Sequence, residues 1–451
     1  MTSDADAIIP FNLPLTREQF ASALRKGQGR ALLHVKRCGV AGFEDLVVQA
    51  CTHSLVFDTQ SEGTRGWWLF NLLGLAGMKD AARPKILESL REPREETSGN
   101  DDTWTVCQRL ELAALYAQEG DEESRQAIYA KFDLQEYPES WVGGQQVVAV
   151  DGLKGFLHVA KVIGARLLRE PDLWEDDYIL SGISEELGRE TVMAALTESA
   201  RTDEQVRAYL NEVERSEHAK KQSKPQERKS LDEVLEMIEH TDDGPQWPLM
   251  GWGYKASQEQ LAIIVSRMQM ESRVPQLRGY LRVFRNREVP GLPDRVFELT
   301  ESADDWIREA AFRAISNSCD TRVRDLAIDL LRRTPPCLDG LSLFAKNYQP
   351  GDHTLLQSVL PCAGDEDVLH GIALDLVRVA QEVEDPQLSG CLLWIYERNP
   401  CSFCRRGATE DLVDRKMSPR NMLEECLWDC QEETRELAQA TFNAAPPSVG
   451  K

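Results

Sequence analysis

The sequence lacks any long hydrophobic run and any apolar leader. No apolar stretch approaches the roughly 20 residues that a membrane-spanning helix needs. Residues 1–6 are polar and acidic, where a secretory signal is basic and then apolar. The eleven cysteines are scattered over 451 residues, often in apolar helical stretches such as those that hold Cys51 and Cys107. This usage predicts reduced thiols and not a disulfide framework, so we expect a cytoplasmic protein. Because no apolar run is long enough to span a bilayer, we also expect that the protein does not bind membranes.

Recognisable catalytic and cofactor motifs are also missing. None of the seven histidines occurs in an H-E-x-x-H arrangement. No Gly-rich loop follows a strand in a phosphate- or dinucleotide-binding pattern, and no G-x-S-x-G elbow occurs. A catalytic triad assembled from distant parts of the chain is the alternative, but the missing motifs weigh against an enzyme. We therefore expect no cofactor.

Positive charge is scarce relative to negative charge. The chain has 52 Lys and Arg against 75 Asp and Glu, which gives a net charge of −23. Such a surface repels DNA, RNA and anionic lipid unless basic residues are segregated on one face. The charge therefore favours a protein partner and argues against a nucleic-acid partner.

Strand alternation is almost absent, whereas apolar residues recur at helical spacing along most of the chain. Thr16 and Gln19, three residues apart, form a pattern typical of the N-terminal end of a helix. Apolar residues follow them at helical spacing. Only residues 145–150, ahead of the turn Asp151-Gly152, are predicted to be extended, and they are too few for a sheet. The predicted fold class is therefore all-α.

One compositional break divides the chain. Residues 215–229 hold six Lys or Arg, two Glu and no large apolar residue, so no face of this segment can be buried. We predict an exposed basic linker or hinge here, with a binding arm as the alternative. It would separate an N-terminal helical-repeat half, residues 1–214, from a C-terminal half, residues 230–451.

An acidic residue, an apolar-Arg pair and an alanine recur in the second half. Three copies occur in the sequence. They are Ile307-Arg308 with Ala311, Val323-Arg324 with Ala327, and Thr434-Arg435 with Ala438, where the polar Thr434 replaces the apolar residue. Acidic residues precede each copy, where they suit the positive end of a helix. The arrangement resembles the second helix of HEAT repeats over residues 257–442. The resemblance implies a right-handed α-solenoid of degenerate HEAT-like helix pairs, and it implies no particular activity.

Arginine is concentrated in the stretch from 273 to 333, which has twelve Arg, no Lys and ten acidic residues. Arg278, Arg282 and Arg285 lie at positions i, i+4 and i+7, beside an apolar helical stripe. Guanidinium groups suit two-bond contacts with carboxylates or phosphates. These three arginines are candidates for partner binding, and the alternative is that they pair with acidic residues of neighbouring repeats.

Aromatic residues are concentrated in residues 244–254, with the sequence GPQWPLMGWGY. Its Pro and Gly residues predict a loop and not a continuous helix. Trp247, Trp252 and Tyr254 therefore either fold down onto the protein or contact a partner. The pair Trp67-Trp68, in contrast, is expected in the core.

Two cysteine pairs occur near the C-terminal end. Cys401 and Cys404 form a C-x₂-C pair, and Cys426 and Cys430 form a C-x₃-C pair, which together are compatible with a four-thiolate zinc site. The helical spacing of both pairs favours small buried thiols between facing helices. A redox pair at a helix N-terminus is a third interpretation. We expect no metal.

The function predicted from these patterns is a non-enzymatic scaffold or adaptor that binds an acidic or phosphorylated protein partner. The alternative is a HEAT-like DNA-repair glycosylase that acts on alkylated bases. That family would need a basic concave face with an exposed Trp and Asp, which the net charge of −23 disfavours. A bilin lyase, which is another HEAT-like class, matches no specific residues.

Overall fold

A computed structural model of the protein describes residues 12–94, 100–170, 172–222, 229–241, 247–362 and 364–444. Every regular element in these ranges is a helix, and no strand occurs in them. The prediction of an all-α protein is therefore confirmed. None of the described helices combines the length and the apolar character that crossing a bilayer requires.

The chain forms two compact units. One unit comprises Phe11–Pro225 and Leu423–Lys451, and we name it the terminal unit. The other contains Gln226–Met422, and we name it the central unit. This grouping differs from the sequence-based halves, because the residues after Met422 belong with the first part of the chain. Of the predicted linker at 215–229, residues 215–222 continue a helix, and residues 223–228 lie outside the described ranges.

Where the structure describes it, the terminal unit contains twelve helices from the first part of the chain and one from the last. They are α1 (Arg17–Lys26), α2 (Arg30–Cys38), α3 (Glu44–Thr52), α4 (Thr59–Glu62), α5 (Gly66–Ala76), α6 (Lys79–Arg91), α7 (Asn100–Gln118), α8 (Glu122–Asp133), α9 (Trp141–Arg169), α10 (Tyr178–Leu187), α11 (Arg189–Ala200), α12 (Glu204–Gln222) and α25 (Glu432–Ala444). A further helix, α24 (Arg420–Cys426), spans the boundary between the units.

Local sequence signals set several of these boundaries. Thr16 and Gln19 form the predicted capping box at the start of α1, and Gly27 ends α1 in the left-handed conformation. The prediction of an extended segment at 145–150 is wrong, since these residues lie within α9. Their β-branched residues are instead accommodated in a helix that breaks at Gly152, where φ is 54°. Gly152 thus supplies the predicted turn without a preceding strand.

The terminal unit buries two apolar clusters. One is formed by α6 to α12 and contains the fully buried Phe156 and Tyr209. The other is formed by α1 to α3 and α5 to α7 and contains Phe20 and Trp68. Trp428, which comes from the last part of the chain, packs against this second cluster. The clusters follow the helical apolar stripes seen in the sequence.

In its described residues, the central unit contains eleven α-helices and three short 3₁₀ helices. The α-helices are α13 (Leu231–Glu239), α14 (Trp247–Lys255), α15 (Gln258–Gln269), α16 (Val274–Val283), α17 (Asp294–Leu299), α18 (Asp305–Ile315), α19 (Thr321–Arg332), α20 (His353–Val359), α21 (Glu366–Glu382), α22 (Ser389–Arg398) and α23 (Ser402–Asp414). The 3₁₀ helices are Leu338–Ala345, Leu360–Cys362 and Pro386–Leu388.

Acidic residues cap the helices of the central unit as the repeated pattern predicted. Asp304, Asp320 and Asp365 are the N-cap residues of α18, α19 and α21, and each accepts a hydrogen bond from a backbone N–H of the first turn. The arginine of one copy also reaches the next helix, because Arg324 forms an ion pair with Asp352 just before α20. These contacts fix the ends of consecutive helices.

Candidate functional site

The three predicted arginines, Arg278 and Arg282 on α16 and Arg285 in the turn after it, do not have the same surroundings. Arg278 donates a hydrogen bond from Nη2 to Asp304 Oδ2 at 2.8 Å. Asp304 also accepts from the backbone N–H of Ile307 at 3.0 Å, as the N-cap of α18. The Arg278 guanidinium lies 5.8 Å from the centre of the Trp306 ring. Arg278 therefore joins two helices of the fold, as the structural alternative predicted.

Arg282 and Arg285 are half-buried, and neither forms an ion pair with the described residues. Burial lowers the pKa of Arg285 below its ordinary value, and the neighbouring charges of Arg313 and Arg282 lower that pKa further. Glu309 acts in the opposite direction but does not restore the ordinary value. Positive charge at the C-terminal end of α16 and in the turn after it is therefore incompletely compensated.

Two further arginines from other helices approach the same region. Arg313 on α18 forms an ion pair with Glu309 at 3.0 Å. Arg378 on α21 donates from Nη2 to Asn317 Oδ1 at 2.8 Å, and the amide group of Asn317 donates to the carbonyl oxygen of Arg285 at 3.1 Å. We name Arg282, Arg285, Arg313 and Arg378 the arginine cluster. It combines residues of α16, of the turn after α16, of α18 and of α21.

A carboxyl group with a raised pKa lies beside the arginine cluster. Burial raises the pKa of Asp375, on α21, to about 7, although the charges of Arg313 and Arg378 lower it. Asp339 and Glu309 raise it further by repulsion. Near neutral pH this carboxyl group is therefore only partly ionised, so it cancels only part of the positive charge. No local sequence pattern marks Asp375, because the charges of Arg313, Asp339 and Glu309 reach it from other helices.

The predicted aromatic loop is largely a helix, so the loop prediction is wrong for residues 247–254. Trp247 and Pro248 begin α14. Proline is tolerated there because the first turn of a helix has no internal acceptor for its N–H groups. Trp252 is 5% exposed and donates from Nε1 to the carbonyl oxygen of Lys229 at 2.8 Å. Trp247 and Tyr254 are 68% and 63% exposed.

These positions divide the aromatic candidates. Trp252 serves the core of the central unit, whereas Trp247 and Tyr254 keep most of their rings accessible to solvent. A side chain on Gly253 would place its Cβ 2.0 Å from the carbonyl oxygen of Val283, so glycine allows α14 to approach α16 closely. Residues 244–246, the start of the predicted loop, lie outside the described residues.

The cysteine candidates fall into the two units. In the central unit, Cys401 and Cys404 are buried and lie beside His370, which the sequence analysis missed. In the terminal unit, Cys426 is fully buried, and Cys430 donates from its backbone N–H to the carbonyl oxygen of Gly27 at 3.0 Å. All eleven cysteines lie in the described ranges, and none forms a disulfide bond.

A cavity of about 740 Å³ lies within the terminal unit, bordered by Trp67, Trp68 and Trp428. The core prediction holds for Trp68, which is 2% exposed, but it is wrong for Trp67, which is 50% exposed. The Arg435 guanidinium lies 4.5 Å from the centre of the Trp67 ring. Sequence spacing could not show this cavity, because its walls come from both ends of the chain.

No protein-family model matches this sequence, and no curated protein matches it. The HEAT-like arrangement stays a prediction from the repeated acidic, arginine and alanine positions.

Proposed function

We propose that this protein is a cytoplasmic, non-enzymatic adaptor, a right-handed α-solenoid of HEAT-like helix pairs that holds an acidic or phosphorylated segment of a protein partner on its arginine cluster. The observation that carries this proposal is the contrast among the three arginines of α16 and the turn after it. Arg278 is compensated by Asp304, whereas Arg282 and Arg285 form no ion pair with the described residues. The chain is otherwise strongly acidic, with a net charge of −23.

The physical reason is the cost of holding like charges close together. Arg285 has a lowered pKa because burial and two neighbouring arginines disfavour its charged form. An anionic group placed among these guanidinium groups relieves the repulsion and accepts charge-assisted hydrogen bonds. A carboxylate or phosphate is therefore the ligand chemistry that this region favours.

The acidic and arginine positions also support the solenoid part of the proposal. In a HEAT-like array, each helix pair contacts only its neighbours, so residues at the ends of helices must connect consecutive pairs. Arg324 meets this requirement through its pair with Asp352, and Arg278 meets it through its pair with Asp304. Arg282 and Arg285 differ because they have no such connection.

Fluorescence anisotropy with two labelled peptides tests the proposal. The first peptide contains alternating Glu and phosphoserine, and the second has Gln and Ser at the same positions. We expect the full chain to bind only the first peptide, and high salt should weaken this binding. The double variant Arg282→Gln/Arg285→Gln should bind it about tenfold or more weakly, since each charge-assisted hydrogen bond contributes roughly 1.5–3 kcal/mol.

The matched control is Arg295→Gln/Arg333→Gln, which removes the same charge from the same unit. Arg295 pairs with Glu298, and Arg333 pairs with Glu301 and Asp329, so neither should serve a partner. Equal binding losses in the two double variants would show that the effect is only a change in net charge. A labelled DNA duplex bound in preference to the acidic peptide would instead favour the glycosylase alternative.

A further inference from the structure

His370, Cys401 and Cys404 place three metal-binding atoms close together in the central unit. Their nitrogen and sulfur atoms all lie within 4.8 Å of one another. Cys404 Sγ lies 3.4 Å from His370 Nδ1. Both cysteines are buried, whereas His370 is half-buried. This group involves none of the residues of the arginine cluster.

The polar contacts of one buried asparagine hold this group in place. Asn399 is fully buried and donates from Nδ2 to the carbonyl oxygen of Leu369 at 2.7 Å, next to His370 on α21. Its Oδ1 accepts from the backbone N–H of Cys401 at 3.0 Å. One side chain thus fixes the turn before α23 against the helix that carries the histidine. Cys404 lies in the first turn of α23, on the same side as the N-cap residue Cys401.

The two cysteines lie at the N-terminal end of a helix. The positive end of a helix stabilises a negative charge, and both sulfur atoms lie at the beginning of α23. The buried side chain of Arg405 also enters this turn, where its Nη1 donates to the carbonyl oxygens of Asn399 and Pro400 at 3.3 and 3.2 Å. Thiolates are the form of cysteine that binds metals.

We propose that His370, Cys401 and Cys404 bind a single zinc ion. Zinc bonds of about 2.3 Å to sulfur and about 2.0–2.1 Å to nitrogen, in tetrahedral geometry, separate ligand atoms by about 3.5–3.8 Å. The observed 3.4 Å between Cys404 Sγ and His370 Nδ1 therefore requires a shift of only a few tenths of an ångström. Zinc takes four ligands, and a water molecule or another group supplies the fourth.

Charge balance and ligand type also favour zinc over metal ions that prefer oxygen ligands. On binding, the two thiols release their protons to solvent, and two thiolates with a neutral imidazole cancel the charge of Zn²⁺. A neutral complex avoids the large cost of burying a net charge. Thiolate and imidazole ligands suit zinc, whereas Mg²⁺ and Ca²⁺ prefer oxygen ligands. Asp and Glu are not among the three ligands.

A buried cysteine outside the group of three serves to distinguish metal binding from ordinary packing of a thiol in the core. Cys391 on α22 is 1% exposed, and burial raises the pKa of its thiol to about 12. It is not part of the group of possible ligands. Cys391 therefore provides the matched control for replacing a buried sulfur by oxygen.

Elemental analysis of the reduced full chain tests the proposal. The protein is purified without chelator, incubated with zinc chloride and desalted. We expect close to one zinc per chain in wild type and in Cys391→Ser, and a loss of most of this zinc in Cys404→Ser and in His370→Asn. Cobalt chloride added to the metal-free wild type should produce the near-ultraviolet thiolate-to-cobalt charge-transfer band.

The wild-type measurements decide the question even where a variant does not fold. Wild-type protein that holds no zinc after reduction, and that gives no thiolate band with cobalt, would overturn the proposal. Zinc retained fully by both Cys404→Ser and His370→Asn would place the metal elsewhere and would also overturn it. Zinc lost in well-folded His370→Asn, with a helical circular-dichroism spectrum like that of wild type, supports it.

Discussion

Arg30 and Glu425 form a buried ion pair although 395 positions separate them in the sequence. Nε of Arg30 lies 2.7 Å from Oε1 of Glu425, and Nη2 lies 2.9 Å from Oε2. Both side chains are almost fully buried, and both belong to the terminal unit. Nearby, Trp68 donates from Nε1 to the carbonyl oxygen of Trp428 at 2.8 Å. The last part of the chain is thus an internal component of the terminal unit.

Replacing Glu425 by Gln should destabilise the protein strongly. The change leaves the buried guanidinium of Arg30 without its counter-charge, and losing one partner of a buried pair costs about 3–5 kcal/mol. The measurement is the free energy of unfolding in urea. The control is Asp45→Asn, which breaks the exposed pair between Arg17 and Asp45 and should cost at most about 1 kcal/mol. Equal losses in both variants would contradict the buried pair.

Replacing Gly29 by Ala should also lower the free energy of unfolding. The new Cβ would lie 2.0 Å from the carbonyl oxygen of Glu425, so the backbone of α24 or of α2 must shift. Gly182 is the control, because a Cβ there meets nothing within 4 Å and the residue lies inside α10. Gly182→Ala should stabilise the protein by about 0.5–1 kcal/mol. A neutral Gly29→Ala variant would show that the close approach is absent in solution.

The stability of the protein should depend on pH through Asp375. Its pKa is raised from 3.8 to about 7 in the folded protein, so the folded state holds this proton more tightly than the unfolded state. The stabilising contribution is present below about pH 4 and is lost as the pH rises to about 7. Asp375→Asn should therefore gain stability relative to wild type over this range, as urea unfolding at a series of pH values can measure.

Asp411 provides the comparison for this pH experiment. Burial raises its pKa to about 6, against the lowering effect of Arg415. The gain of Asp411→Asn relative to wild type should therefore level off near pH 6, and that of Asp375→Asn near pH 7. A stability difference between Asp375→Asn and wild type that stays constant from pH 4 to 8 would contradict the raised pKa.

Trypsin should cut first within residues 215–229, which contain six Lys or Arg. The two fragments should then stay together, because the second one carries Glu425 and Trp428, which pack within the terminal unit. Size-exclusion chromatography of the nicked protein should give the mass of the uncut chain in native buffer and about half that mass in urea, since the two fragments are of nearly equal length. Separation in native buffer would show that residues after Met422 contribute little to the terminal unit.

The sequence by itself determined the helices and many of their ends. Helical apolar spacing and cap residues act over one or two turns, so Thr16 and Gln19 could be assigned their roles without a structure. The aromatic segment at 247–254 was predicted wrongly, because the position of Pro248 within the first helical turn makes it acceptable.

Only the tertiary structure decided which distant side chains meet. Sequence spacing could not show that Asp304 compensates Arg278, because Asp304 lies at the start of another helix. Nor could it show that Arg282 and Arg285 form no ion pair with the described residues. The zinc site has the same origin, because His370 precedes Cys404 by 34 positions and is brought to it by helix packing. Such contacts depend on the relative placement of whole helices, which short-range sequence patterns do not encode.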